Sequence, residues 1–263
     1  ETAKTLRRRR KRLSVILEIK NLDKHFGGIH VTNHVNISFK KHEMSAIIGP
    51  NGAGKTTFFN LISGFIAPDG GSVIYDGQDI TRDRPEKIVK LGMIRAFQVA
   101  NVFLEESVYD NVYLASLAHF KKNAKMLVNR MAFGDAKEHA DFILNKIGLF
   151  YCRDVKASEL SHGDMKILDI AIALTLQPKI LLLDEPTAGM APDERIKMMA
   201  LLKELHEFFQ LTTIFIEHDM DMVFGIAEII RVLVQGELIA EGSPDYIRQH
   251  ERVIEAYLGK EVL

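Results

Sequence analysis

A single cysteine, Cys152, stands in 263 residues. One thiol closes no internal disulfide and offers no metal-ligand spacing, so a reducing compartment and a packing role are expected for it. Nowhere does the chain approach the run of about 18 apolar residues that a membrane-crossing helix needs. Internal repeats, low-complexity segments and Pro/Gly/Ser-rich linkers are missing too, which favours one α/β unit over a string of domains. A guanine-reading N-K-x-D motif is absent, leaving GTPase and phosphotransferase readings without support.

The net charge of −1 is unevenly spread. Residues 1–13 hold seven cations (Lys4, Arg7, Arg8, Arg9, Arg10, Lys11, Arg12) against Glu1, so the remaining chain carries −7. A nucleic-acid-binding body is expected to be basic, and this one is acidic. The "RRRRKR" run could open a signal peptide, but the apolar stretch behind it, Val15–Leu17, is broken at Glu18 and is too short. Residues 1–13 are expected to form a solvated, disordered tail; contact with anionic lipid, or with nucleic acid, is the alternative.

Short β-rich segments come first: "VILEIKNLDKHF", "VTNHVNISFK", "MSAIIGP", then "GSVIYDGQDI" with the turn signal Asp76-Gly77. From about Ser107 to Ile147 apolar residues recur at three- and four-residue spacing, which predicts helices. Beyond that, "MKILDIAIALTLQ", "KILLLDEP", "DERIKMMALLKELHEFF" and "TTIFIEHD" alternate helix and strand. Such alternation predicts a mainly parallel sheet covered on both faces. The expected fold is thus an α/β core with an N-terminal antiparallel β subdomain and a helical insertion.

"GPNGAGKTT" (Gly49, Pro50, Asn51, Gly52, Ala53, Gly54, Lys55, Thr56, Thr57) fits G-x-x-x-x-G-K-[ST] between an apolar strand and a helix. The glycines let main-chain N–H groups close on phosphates, and the helix adds its positive end. Lys55 is placed for the β- and γ-phosphates of ATP, and the Thr56 hydroxyl for Mg²⁺.

"ILLLDEP" ends a buried-type strand in two acids. Ligands of parallel sheets gather outside the carboxyl ends of the strands, so Asp184 is expected to hold Mg²⁺ and Glu185 to orient or deprotonate the attacking water. "TTIFIEHD" ends in the same way at His218, placed to donate to the γ-phosphate.

With these motifs the chain closely resembles the ATP-binding subunits of ABC transporters over residues 14–259, which implies a P-loop NTPase core and a helical subdomain at about 99–165. The resemblance implies further roles. Gln98 in "RAFQVANVF" matches the glutamine loop, a catalytic and Mg²⁺-contacting position, and Phe26 in "DKHFGG" matches the aromatic that stacks on adenine. "LSHGD" occupies the signature position and "AGMA", Ala188–Ala191, the D-loop. It also implies a second ATP-binding subunit, two permease subunits, a periplasmic or extracellular solute-binding protein, and a place on the cytoplasmic face of the cell membrane. "MIRAFQ", "EPTAGM", "IEHDM" and "RVIEAYLG" look most like importers of branched-chain amino acids and their amide and urea relatives. Residues 99–104 would receive a coupling helix from the permeases, unless Phe97, Val102 and Phe103 are simply core.

Two positions depart from the family pattern. Ala191 stands where many relatives place Asp, and the signature reads Ser161-His162-Gly163-Asp164. Ser161 and Gly163, which the resemblance assigns to the partner's γ-phosphate, are retained. Ser161-x-x-Asp164 also fits a capping box, with Asp164 expected to bend back to the N–H of Ser161. His162 adds bulk and an imidazole at that position.

Three other readings stand beside the importer. A lipopolysaccharide-export type ATPase has similar motifs. A soluble repair or translation ATPase would want a coiled-coil insertion or a second phosphate loop, and neither is in the sequence. A dead, binding-only subunit would want Lys55, Glu185 or His218 replaced, and all three stand.

Overall fold

The computed structural model describes residues 14–96, 102–121 and 130–258. Two sheets form the framework. The first is antiparallel, in the order β2-β1-β4-β5, with β1 Val15–Phe26, β2 Ile29–Lys40, β4 Gly70–Tyr75 and β5 Gln78–Asp79. Its alternation is plain in β2, where Val35, Ile37 and Phe39 are buried between exposed Asn36, Ser38 and Lys40. Asp76 and Gly77, at φ 47° and 83°, turn β4 into β5 with the two positive φ values of a type I′ hairpin.

The second sheet runs β10-β9-β3-β8-β7-β6: β3 Met44–Ile48, β6 Met93–Ala96, β7 Ile180–Asp184, β8 Thr212–Ile216, β9 Ile229–Val234 and β10 Glu237–Gly242. All its pairings are parallel except β9–β10. Every residue of β3, β7 and β8 is buried, as continuous apolar runs require. Successive side chains divide between two cores. Ile47, Ile180, Leu182, Ile214 and Ile216 face the antiparallel sheet together with Phe58 and Phe59 of α1 (Lys55–Ile62). Ala46, Ile48, Leu181, Leu183 and Phe215 face the opposite way.

That second core is closed by α3 (Val108–Lys121), α4 (Arg130–Lys146), α5 (His162–Thr175) and α6 (Pro192–Phe209). Shorter helices are α2 (Pro85–Leu91), α7 (Met220–Ile226), α8 (Pro244–Arg248) and α9 (Glu251–Leu258). The expected α/β P-loop NTPase fold, with its antiparallel β layer, is the one observed. Buried Arg231 joins the sheets: it donates to Glu43 at 3.0 Å, Glu241 at 3.1 Å and the Ser38 carbonyl at 2.6 Å. Cys152 packs in the helical core, its thiol pushed up chiefly by burial. Residues 1–13 lie outside the described residues.

Candidate functional site

Because β3, β8 and β7 are parallel neighbours, the segments that follow them emerge at one edge of the sheet. After β3 comes the glycine loop. A Cβ on Gly49 would lie 2.0 Å from the Leu233 carbonyl oxygen, and one on Gly54 would lie 2.4 Å from that of Val31. Gly54 also holds φ 94°, so neither position takes a side chain without moving main chain. The loop is braced from the β9–β10 turn, where the Gly236 N–H donates to the Ala53 carbonyl at 3.1 Å. Half-buried Tyr257 of α9 touches it too. Burial pushes its hydroxyl up to about 12, against the pull of a hydrogen bond from the Gly49 main chain.

Lys55 opens α1 and folds back over the loop, donating to the carbonyls of Gly49 at 2.7 Å and Pro50 at 3.1 Å. Asn51, Gly52 and Thr56 are exposed, Pro50 and Thr57 half-buried, and Ala53 buried. A cation on a loop followed by the positive end of a helix makes a seat for a polyanion.

Asp184 ends β7 almost fully buried, 2.5 Å from the Arg95 guanidinium at the level of Oδ2. Arg95, on neighbouring β6, also donates to Asn60 of α1 at 2.6 Å, so one buried cation links the acidic strand end to the phosphate-loop helix. Thr56 Oγ1 and the Asp184 carboxylate are hard oxygen donors, the chemistry that suits Mg²⁺.

Glu185 holds φ 51°, in the left-handed region, and turns its carboxylate to His218, whose Nε2 lies 3.1 Å from Oε1. Both side chains are solvent-accessible. Two side chains, Lys166 and Glu217, secure this turn. Lys166 Nζ donates to the main-chain oxygens of Glu185 and Ala188, each at 2.8 Å. Buried Glu217 accepts from the Thr187 N–H at 2.7 Å and the Thr187 hydroxyl at 2.6 Å. Burial lowers the Lys166 pKa, while the charges of Glu217 and Glu185 oppose that shift.

Ser161 caps α5: its Oγ accepts the Asp164 N–H at 3.1 Å. The return bond differs from the capping-box expectation. The Ser161 hydroxyl donates to Asp164 Oδ2 at 3.0 Å, so the carboxylate takes the O–H of the cap. Having accepted the Asp164 N–H, the hydroxyl is already beside that carboxylate. His162 is exposed, and Gly163 is buried near Glu194 of α6. Ala191 supplies no capping side chain to α6; the Glu194 carboxylate accepts its N–H at 3.1 Å instead.

Phe26 is 45% exposed at the tip of the β1–β2 hairpin, with Lys24 Nζ 5.5 Å from its ring centroid. The same hairpin backs the phosphate loop through Val31. Gln98 and Phe97 lie outside the described residues. Of the neighbouring apolar residues, Val102 is half-buried and Phe103 is 63% exposed, so Phe103 is not core.

Motif spacing does not mark Arg95, Lys166, Glu217 or Thr187. Each sits within or beside a recognised string, but its partner lies on another element, and spacing along the chain carries no sign of that.

Residues 32–188, more than half of the chain, match the family profile described as "ABC transporter". The chain belongs to the ABC transporter family. This cassette is an ATPase subunit that binds adenine nucleotide. Residues 237–262 match a second profile, "Branched-chain amino acid ATP-binding cassette transporter". The cassette is 38% identical over 250 residues to the high-affinity branched-chain amino acid transport ATP-binding protein LivG of Escherichia coli (strain K12), covering 93% of this chain and 98% of LivG. Among solved structures it resembles the ADP conformation of MJ1267, an ATP-binding cassette of an ABC transporter. That likeness has a TM-score of 0.81 and 32% identity, covering 94% of this chain and 99% of that one. It also resembles a dimeric post-hydrolysis state of the ATP-binding cassette MJ0796 bound to ADP and Pi, at TM-score 0.73 and 28% identity over 87% and 99% of the two chains.

Proposed function

We propose that this ATPase powers uptake of branched-chain amino acids, or related small polar solutes, as one of two ATP-binding subunits joined to two permeases and served by a solute-binding protein. The observation that carries the reading is the identity with LivG along nearly its whole length, to which the branched-chain profile at residues 237–262 adds weight. A dimeric relative supports the pairing of cassettes. No described helix is long and apolar enough to cross a membrane, in keeping with a peripheral subunit on the cytoplasmic face that works through separate permeases. Exposed Phe103 and Leu104 suit a docking place for a permease helix.

In this reading residues 14–259 are one ATP-binding domain with a helical subdomain at about 99–165. Phe26 stacks on adenine. Lys55 exchanges its bonds to the Gly49 and Pro50 carbonyls for phosphate oxygens, and the N–H groups from Gly52 to Thr57 close on the same phosphates. Thr56, Asp184 and Gln98 would hold Mg²⁺, which when bound neutralises charge between the β- and γ-phosphates. Glu185 takes a proton from the attacking water or orients it, while His218 shifts its hydrogen bond from Glu185 to the γ-phosphate. Ser161, His162, Gly163 and Asp164 close over ATP held by the other subunit, whose phosphate oxygens then compete with Asp164 for the Ser161 hydroxyl.

Uptake of labelled leucine, urea and a short amide by cells lacking the gene tests the cargo. Loss of leucine uptake, restored by the wild-type gene but not by Lys55→Ala, is expected. Unchanged uptake of all three solutes would contradict an import role.

A further inference from the structure

The hairpin that carries Phe26 also carries three histidines, at positions 25, 30 and 34, around one aspartate. Among the described residues, Asp23, His25 and His30 are the group whose metal-ligating atoms all lie within 4.8 Å of one another. Strand register produces the cluster. His25 and His30 are direct partners in the β1–β2 ladder, one pair back from the Phe26–Ile29 pair that closes the hairpin. Asp23, two residues before His25 on β1, shares its face of the strand. His25 Nε2 lies 3.1 Å from Asp23 Oδ1, His30 Nε2 lies 2.8 Å from Oδ2, and His34 Nδ1 lies 3.1 Å from Oδ2.

A nearly buried carboxylate needs hydrogen bonds, but it does not need three imidazoles. The rings of His25 and His30 stack with centroids 3.9 Å apart and bring both Nε2 atoms to the same carboxylate. A dication there would be held by the carboxylate and by the lone pairs of both imidazoles. With metal bonds near 2.0–2.1 Å, the edges of a tetrahedral zinc site are about 3.3 Å, close to the nitrogen–oxygen separations observed. His25 and His30 are accessible enough to swing from the stacked to the splayed orientation that metal bonding requires. Two nitrogens and one carboxylate oxygen select a borderline transition metal over Mg²⁺ or Ca²⁺, which take oxygen.

We propose that Asp23, His25 and His30 form a site for a divalent transition-metal ion of the Zn²⁺ class, with His34 as the outer partner that orients Asp23. The fourth position is left to water. The ion ties β1 to β2 one residue behind Phe26, so its presence stiffens the hairpin tip. The site is separate from the oxygen-donor pair Thr56 and Asp184.

Titrating the chain, freed of any histidine tag and of nucleotide, with Co²⁺ under visible absorption and then displacing Co²⁺ with Zn²⁺ tests the site. One ion per chain is expected, bound at micromolar or tighter concentration, with the intense absorption of a four-coordinate site. His25→Ala and His30→Gln should weaken binding at least tenfold and His34→Ala less, while Asp184→Asn binds like wild type. Circular dichroism of each metal-free variant separates loss of ligand from loss of fold, and His30→Gln, close in size, guards against a collapsed hairpin. Absence of micromolar binding would overturn the proposal. So would binding that folded His25→Ala and His30→Gln both retain, or that Asp184→Asn abolishes.

Discussion

Lys166 Nζ donates at 2.8 Å to the main-chain oxygen of Glu185 and at the same distance to that of Ala188. The helix that begins behind Ser161 therefore grips the turn on which the proposed catalytic carboxylate stands. Anything that shifts the head of α5 is transmitted to Glu185 through one side chain.

Lys166→Met keeps the length of the side chain and removes both bonds. Losing hydrogen bonds from a charged donor is expected to cost about 2 kcal/mol of stability. Displacement of Glu185 should lower the ATPase rate about 10- to 100-fold with nucleotide affinity little changed. Steady-state kinetics and urea unfolding check both.

Gly163→Ala separates folding from function. A Cβ there would meet Ser161 Oγ at 3.7 Å and Glu194 at 3.8 Å, ordinary contacts. Alanine is the better helix former by up to about 1 kcal/mol, so thermal melting should hold or rise. If the position closes on a partner's γ-phosphate, ATPase activity should nonetheless fall at least about tenfold, the equivalent of 1.4 kcal/mol.

Arg95→Ala strands the buried carboxylate of Asp184. Removing one partner of a buried ion pair is expected to cost about 3–5 kcal/mol, measured by chemical denaturation. Adding Asp184→Asn should recover part of the loss, because the uncompensated charge is then gone, and a double-mutant cycle gives the coupling.

His139 of α4 has its pKa lowered by burial and, secondarily, by the charge of His119. Its folded pKa lies below the unfolded value near 6.5, so between the two the unfolded chain binds the extra proton and stability falls with pH. The wild type should therefore lose more thermal stability between pH 7.5 and 5.5 than His139→Gln does. Equal losses would remove the effect.

How much was legible in the chain depends on how local each feature is. "ILLLD" and "TTIFI" declare buried parallel strands, and "GPNGAGKTT" declares its loop, because consecutive residues carry the whole signal. The fold followed from these. Arg95 to Asp184 and Lys166 to Glu185 are bonds between elements far apart in sequence, so they emerge only with the strand order and the docking of α5. The segments that form β1 and β2 read only as short β-rich stretches until the register sets His25 opposite His30. Asp164 shows a finer limit: [ST]-x-x-[DE] announces a cap, but choosing between the N–H and the O–H of Ser161 depends on a hydroxyl rotor. Gln98 stays at the level of the motif, because it lies outside the described residues.

The most direct test of the proposed catalytic role is the Glu185→Gln variant, measured for ATP turnover and, by light scattering with ATP and Mg²⁺, for mass. Glutamine keeps the shape and the hydrogen-bonding reach to His218 but cannot accept a proton from water. Nucleotide binding close to wild type, turnover reduced at least about a hundredfold, equivalent to 2.7 kcal/mol, and a stable ATP-dependent dimer are predicted. Turnover at the wild-type rate would contradict the assignment of Glu185 as the base.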